Sequence, residues 1–490
     1  MSAALGEYRY YTVSGGQPLR GEIAVGGAKN AAPKLIIASL LSDEISVLEN
    51  VPRIGEVDIT LSICTSLGAR WRWIDNTTLE IDPSQLNEYR IPGGDSLANR
   101  SSILFLAPLL ARFNAAQICT VGGDAIGAHA GADTRPGAVR AVRAVDFHVD
   151  GLRTLGVEVH PGEQETVFAA DGLHGGSIRF AFPSVGATEQ MLIAAVAAEG
   201  RTVLRNAAIE PEIQNLVGFL QAMGATIQQE AGRIWIIDGA GSPRAGASPG
   251  SRFRGVRYRV IPDRLEAASY AAAAVATGGD IFVRGAVQEH MPAFLNILRA
   301  AGGEFEIDRE GIRFTAGAQI AKVILETSPH PGFMTDWLPP LAVLLTQAEA
   351  VSIVHETVYE QRFGYVPALV EMGAHIEMHG SCLGNSACRF RDLDYQHSAV
   401  IHGQAQLRPS ELVVPDLRAG FAYLLAALVA EGESKVWQVH LVERGYSALQ
   451  EKLGGLGAVI AEGHGYPPPL LADTFAGGVA LSARAAPSAT

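Results

Sequence analysis

Six times along the chain a helix-type pattern closes on a hydrophobic-Gly-small turn and restarts as a strand, and this repetition constrains the fold more than any single motif. The turn reads Leu67–Ala69, Leu155–Val157, Met223–Ala225, Ala301–Gly303, Met372–Ala374 and Leu456–Ala458. Its central glycines, 68, 156, 224, 302, 373 and 457, are separated by 88, 68, 78, 71 and 84 residues. The texture between these marks also recurs. AAEGRTVLRNAAIEPEIQNLVGFLQAMGATIQ, from Ala197, parallels LVAEGESKVWQVHLVERGYSALQEKLGGLGAVI, from Leu428. TVL and KVW alternate as strands do, whereas Ile213, Leu216, Val217, Leu220 and Met223 fall on one helical face. Glycine after that helix suits a left-handed C-cap, which it adopts at little steric cost. Six β-α-β units of about 70–85 residues predict an α/β fold of two three-unit domains rather than a doubly wound sheet or a TIM barrel. The longest interval carries a Gly/Ala/Pro-rich run, residues 129–142, that reads as an inserted loop. From Gly463 onward periodicity stops, and residues 466–490 read as an extension.

Composition narrows the function classes. A chain of 490 residues with 48% hydrophobic and 18% charged content can bury more than one core. Its formal net charge of −13 argues against a nucleic-acid partner, so an anionic ligand would need a local cluster of cations. The N-terminus has no basic region followed by an apolar run, and apolar stretches such as 421–430 are too short to cross a bilayer. A soluble, cytoplasmic protein without a membrane partner is expected, as a monomer or weak homo-oligomer. Cys64, Cys119, Cys382 and Cys388 include no CxxC pair, and the step from Cys382 to Cys388 matches no standard zinc spacing, so four reduced thiols are expected. Walker, dinucleotide-binding, HExxH and GxSxG motifs are missing and the 13 histidines are scattered. The expectation is no metal and no organic cofactor.

Cations instead gather at turns beside Gly, Pro or acidic residues: Lys29 in VGGAKNAAPK, Arg100 in LANRSS, Arg264 in IPDRLE, Arg362 in YEQRFGYVP, Arg418 in VPDLRAG and Arg444 in VERGY. Arginine's planar fork suits carboxylate and phosphate, although each of these residues singly could be a surface ion-pair member. Asp336 and Asp416 accompany them, as general bases or as ion-pair partners of Arg362 and Arg418.

Taken in order, LRGEIAVGGAKNAAPK, ENVPRIGEVD, NRSSILFLAPLLARF, PSVGATEQ, RNAAIEPEI, VIPDRLEA, PHPGFMTD, ETVYEQRF, VPDLRAG and ERGY make the chain, from about Tyr11 to about Ala461, resemble the enolpyruvyl transferases. The resemblance implies two inside-out α/β barrels of three repeats each. One would span 29–258, and the other would combine 1–28 with 259–465. It implies transfer of the enolpyruvyl group of phosphoenolpyruvate to a sugar hydroxyl of a uridine nucleotide, UDP-N-acetylglucosamine or, alternatively, the 3'-hydroxyl of uridine monophosphate. PHPGFMTD and ERGY favour this branch over the 5-enolpyruvylshikimate-3-phosphate synthases, and the retained charged set argues against a non-catalytic paralogue. By the same resemblance Lys29, Arg362 and Arg444 would hold phosphoenolpyruvate, with Arg143 or its rival Arg135 as a fourth cation. Asn30, Arg100, Asp146, Ser184, Val185, Gly186, Asp336 and Val358 would contact the nucleotide. Asp336 would be the base, and Asp416 and Arg418 would support proton transfer. Three departures stand out. Asp124 takes the place of a cysteine found in most of the family, where by the resemblance its carboxyl would be the catalytic proton donor, and this implies insensitivity to the thiol-alkylating antibiotic fosfomycin. Phe182-Pro183 stands where a phosphate-contacting lysine is usual. Residues 129–142 enlarge the loop expected to cover the substrates.

Overall fold

The computed structural model describes residues 8–119, 145–162, 165–241, 249–360, 362–386, 388–393, 395–416 and 419–467. Their strands form six sheets, five of which share one topology. In one, Ser177–Arg179 runs parallel to Glu199–Arg205, which pairs antiparallel with Ile234–Ala240, which in turn pairs with Thr226–Glu230. The sixth comprises Ala115–Cys119, Glu165–Ala169 and Glu158–Pro161, with its parallel edge reduced to a bridge between Arg90 and Gln117. The six turn glycines all adopt φ between 90° and 114°, the left-handed geometry that explains why the turn is written with glycine each time.

Each sheet is entered from a helix that is apolar nearly all round, and such helices have only an interior to occupy. Ala32–Ser39, Leu106–Phe113 and Val185–Ala195 are buried in one large apolar cluster drawn from residues between 28 and 260. Arg264–Ala276, Leu338–Leu345 and Gly420–Val429 pack on one another in a second cluster, which also takes Tyr11, Val13, Leu19, Ile23 and Val25. Leu338–Leu345 buries all eight of its residues. At about 1.5–3 kcal/mol per buried large apolar side chain, these central helices dominate the cohesion of each cluster. The sheets lie outside and the helices inside, the inside-out arrangement that the resemblance implied. No helix among the described residues is long and apolar enough to cross a membrane.

The chain passes between the two clusters twice. Strand Tyr8–Gly15 sits between Gly432–Trp437 and Val459–Gly465, closing the last sheet with the first segment. Arg20–Ala24 then runs parallel to Asp280–Arg284, while Arg257–Arg259 pairs with Ser46–Glu49 on the other side. The crossing segments meet: Ala28 N–H donates to Ile261 O at 2.7 Å and Asp263 N–H to Gly26 O at 2.9 Å. Lys29 lies on this double crossing.

Candidate active site

Asp263 fixes the crossing. One carboxylate oxygen accepts the N–H groups of Leu265 and Glu266, capping helix Arg264–Ala276, and the other accepts Lys29 N–H at 2.8 Å. Burial pushes its carboxyl up to about 6 against the pull of these donors. The backbone of Lys29 is thereby locked, and its side chain is delivered to a cavity of about 450 Å3 lined from both apolar clusters. That volume is within the usual range for small-ligand sites.

From the first cluster the wall takes Lys29, Asn30, Arg100 and the turn Ser184, Val185 and Gly186. Ser184 caps helix Val185–Ala195, its Oγ accepting Ala187 N–H at 3.4 Å, so the positive end of an 11-residue helix faces the cavity. From the second cluster come Asp336, Val358 and Arg444. Arg362 stands behind Asp336 with its side chain 1% exposed. Its Nη2 donates to Asp336 Oδ1 at 2.6 Å, and its Nε donates to Thr335 Oγ1 at 2.8 Å. Thr335 in turn donates to buried Glu356. Arg444 pairs with Glu56 of the other cluster, a charged tie across the cavity.

Other expected residues are placed differently. Arg264, an anion-binding candidate on sequence, spends its fork on Glu212 at 2.8 and 2.9 Å, with side chains 2% and 4% exposed. Burial works to raise the Glu212 carboxyl, but the Arg264 charge and hydrogen bonds hold it below its ordinary value. Asp416 is not on the wall; its carboxylate accepts Ala419 N–H at 2.9 Å at the start of helix Gly420–Val429. Asp146 opens helix Asp146–Thr154, and its neighbours Phe147 and His148 reach the wall where it does not. Asp124, Arg135, Arg143 and Arg418 lie outside the described residues.

Among the wall residues that sequence reading missed are Arg389, Glu189 and Lys34. Arg389 sits 4.8 Å over the ring of Phe182, bringing a guanidinium to the place where the motif lacked its lysine. Only the Phe182 departure pointed there. Glu189 and Lys34 form a buried pair at 3.9 Å. Burial pushes the Glu189 carboxyl from 4.5 up to about 7 in spite of Lys34, so it holds its proton more tightly folded than unfolded. The stability from this group is fully present below pH 4.5 and is lost as the pH rises through 7. Glu189→Gln cannot ionise and is expected to remove that loss, about 3 kcal/mol at most, flattening the melting temperature between about pH 5 and 8. Parallel curves for variant and wild type would refute the assignment. The described groups of His, Cys and acidic side chains near enough to share an ion lie away from this wall.

A family model described as EPSP synthase (3-phosphoshikimate 1-carboxyvinyltransferase) matches residues 13–453. The chain is 45% identical to a UDP-N-acetylglucosamine 1-carboxyvinyltransferase of Chlamydia pneumoniae over 90% of its length and 92% of that protein. It is 37% identical to one of Gluconobacter oxydans, over 92% of this chain and 98% of the relative. Among solved structures it is similar to the enolpyruvyl transferase NikO from Streptomyces tendae, with a TM-score of 0.79, 21% identity and coverage of 94% of this chain and 100% of the other. It is also similar to an EPSP synthase from Acinetobacter baumannii, with a TM-score of 0.67, 15% identity and coverage of 93% and 100%. At these identities the structures speak for the fold.

Proposed function

The chain belongs to the EPSP synthase family of enolpyruvyl transferases, and on that premise we propose that it transfers the enolpyruvyl group of phosphoenolpyruvate to a sugar hydroxyl of UDP-N-acetylglucosamine, releasing phosphate in the cytoplasm. The observation that carries the reading is the convergence of Lys29, Arg100, Arg444 and Asp336 from two separate cores on one cavity, within a molecule of net charge −13.

The chemistry follows from the charges. Protonation of the donor's methylene carbon leaves C2 electrophilic, with oxocarbenium character between a carboxylate and a phosphate. The acceptor hydroxyl adds to C2 as its proton passes to a base, giving a tetrahedral phospho-ketal. Loss of a methyl proton then restores the double bond as the C2–O bond to phosphate breaks. Lys29 and Arg444 hold the donor and steady the leaving phosphate, while Arg362, behind Asp336, fixes that carboxylate in place. Asp336 takes the hydroxyl proton. The Ser184 helix terminus and Arg100 hold the nucleotide, so that the hydroxyl meets C2 as a neighbour in place of a chance encounter. Because the wall is shared by two lobes, their approach completes the site and excludes water.

Arg389 over Phe182 favours a diphosphate acceptor, since its guanidinium, paired at 3.3 Å with Glu360, stands where the sequence had lost a lysine and can exchange that carboxylate for phosphate. Phosphate release with phosphoenolpyruvate and, in parallel, UDP-N-acetylglucosamine or uridine monophosphate is the test. Release is expected with the first acceptor, with the product gaining one enolpyruvyl group by mass. Release with uridine monophosphate alone would transfer the assignment to that acceptor.

A further inference from the structure

We propose that His355, Cys382, Cys388 and His397 form a tetrahedral zinc site that clamps the 380–397 connection and thereby positions Arg389 on the cavity wall. The ligand atoms of these four side chains all lie within 4.8 Å of one another. Zn–S bonds of about 2.3 Å and Zn–N bonds of about 2.0–2.1 Å set tetrahedral neighbours about 3.3–3.8 Å apart, so closure needs movements of about an ångström at most. Cys382 Sγ and His397 Nε2 are already 3.4 Å apart.

The second layer is that of a metal centre. His397 Nδ1 meets Tyr395 O at 2.8 Å, and His355 Nδ1 faces Glu326 Oε2 at 3.4 Å. Each imidazole thus has an oxygen acceptor for its Nδ1 proton, leaving Nε2 as the lone-pair nitrogen on the cluster side. His355 Nε2 is buried and finds no hydrogen-bond partner among the described residues. A buried ring nitrogen without a partner carries a desolvation cost that a metal bond would offset. Phe390 N–H points at Cys388 Sγ at 3.3 Å, and Glu326 also accepts the N–H groups of Asn385 and Ser386 at 2.6 and 2.8 Å. Two thiolates with two imidazoles select zinc among the common divalent ions. Binding sends the two thiol protons to solvent and leaves a neutral centre, which tolerates burial.

The fold explains why no linear motif announced it. His355 ends strand Ser352–His355, and His397 precedes strand Ser398–His402, its antiparallel neighbour; both cysteines lie in the connection that leaves strand His375–His379. Cys388 is followed at once by Arg389, whose Nη2 donates to Val358 O at 2.5 Å and whose guanidinium covers Phe182. Fixing Cys388 therefore fixes the start of a segment that reaches across the cavity. The metal centre stands apart from the proposed transfer reaction; the positioning of Arg389 rests on it.

Full-length protein purified under reducing conditions without chelator is expected to carry one zinc per chain by elemental analysis, falling at least tenfold in Cys382→Ser and Cys388→Ser. Stripped, reduced wild type titrated with Co2+ is expected to develop thiolate-to-cobalt charge transfer and the intense visible bands of tetrahedral cobalt, a readout that does not depend on the variants folding. Wild type that neither retains zinc nor gives those bands, a native Cys382–Cys388 disulfide, or variants that keep their zinc would each overturn the site. Loss of zinc is expected to raise KM for the nucleotide acceptor about tenfold with little change in KM for phosphoenolpyruvate. An unchanged acceptor KM after zinc loss would remove the positioning role and leave the metal centre standing.

Discussion

Lys29→Ala is expected to lower kcat/KM for phosphoenolpyruvate by about 10²–10³ in a variant that still folds and melts cooperatively. The two halves of this expectation come from different atoms. Stability at the crossing runs through the backbone, where Lys29 N–H meets Asp263 and Ala28 N–H meets Ile261 O, and alanine keeps these bonds. Catalysis runs through the ammonium group, which would face developing negative charge in a site closed to water, where a fixed cation does more than it could in solvent. Steady-state kinetics with both substrates varied, alongside a thermal melt, checks both halves. Wild-type turnover in a folded variant would move the donor site away from this part of the wall. A large drop in melting temperature would show instead that the side chain belongs to the crossing's structure.

How far the fold was legible depends on whether the cause is local. The turn glycines at 68, 156, 224, 302, 373 and 457 could be read because left-handed backbone is a requirement that each position meets by itself. The apolar helices could be read for the same reason, since Leu338–Leu345 and Gly420–Val429 carry no polar face to set against water. Pairing over distance was less visible. The family resemblance implied only that the N-terminal segment joins the second domain; that Tyr8–Gly15 pairs between Gly432–Trp437 and Val459–Gly465 is marked by no periodicity in the chain. Within the site, Lys29, Asn30, Arg100, Ser184, Asp336, Val358 and Arg444 line one cavity wall. Arg264 does not act as a free cation because Glu212, 52 residues earlier, is brought against it by the meeting of the two lobes. Arg389 and the His355, Cys382, Cys388 and His397 group escaped sequence reading because sheet pairing and a long connection, not spacing along the chain, bring their members together.

The largest effect is expected for the base. Asp336→Asn should reduce kcat by about 10²–10⁴ with KM for the nucleotide held within a few-fold. The geometry separates the two jobs of this side chain. One oxygen accepts from Arg362 Nη2 at 2.6 Å, and an asparagine carbonyl can accept the same bond, so the buried guanidinium keeps its partner and the wall keeps its shape. What the amide lacks is a site for the hydroxyl proton, so the penalty falls on the step in which the acceptor oxygen gains its bond to C2. Asp336→Ala would confuse these effects, because Arg362, 1% exposed, would then lose an ionic partner in a place water scarcely reaches. Calorimetric binding of UDP-N-acetylglucosamine should be preserved in the asparagine variant while product formation collapses. A variant that turns over at the wild-type rate, or whose whole defect lies in KM, would assign Asp336 to holding the nucleotide and leave the proton to another group.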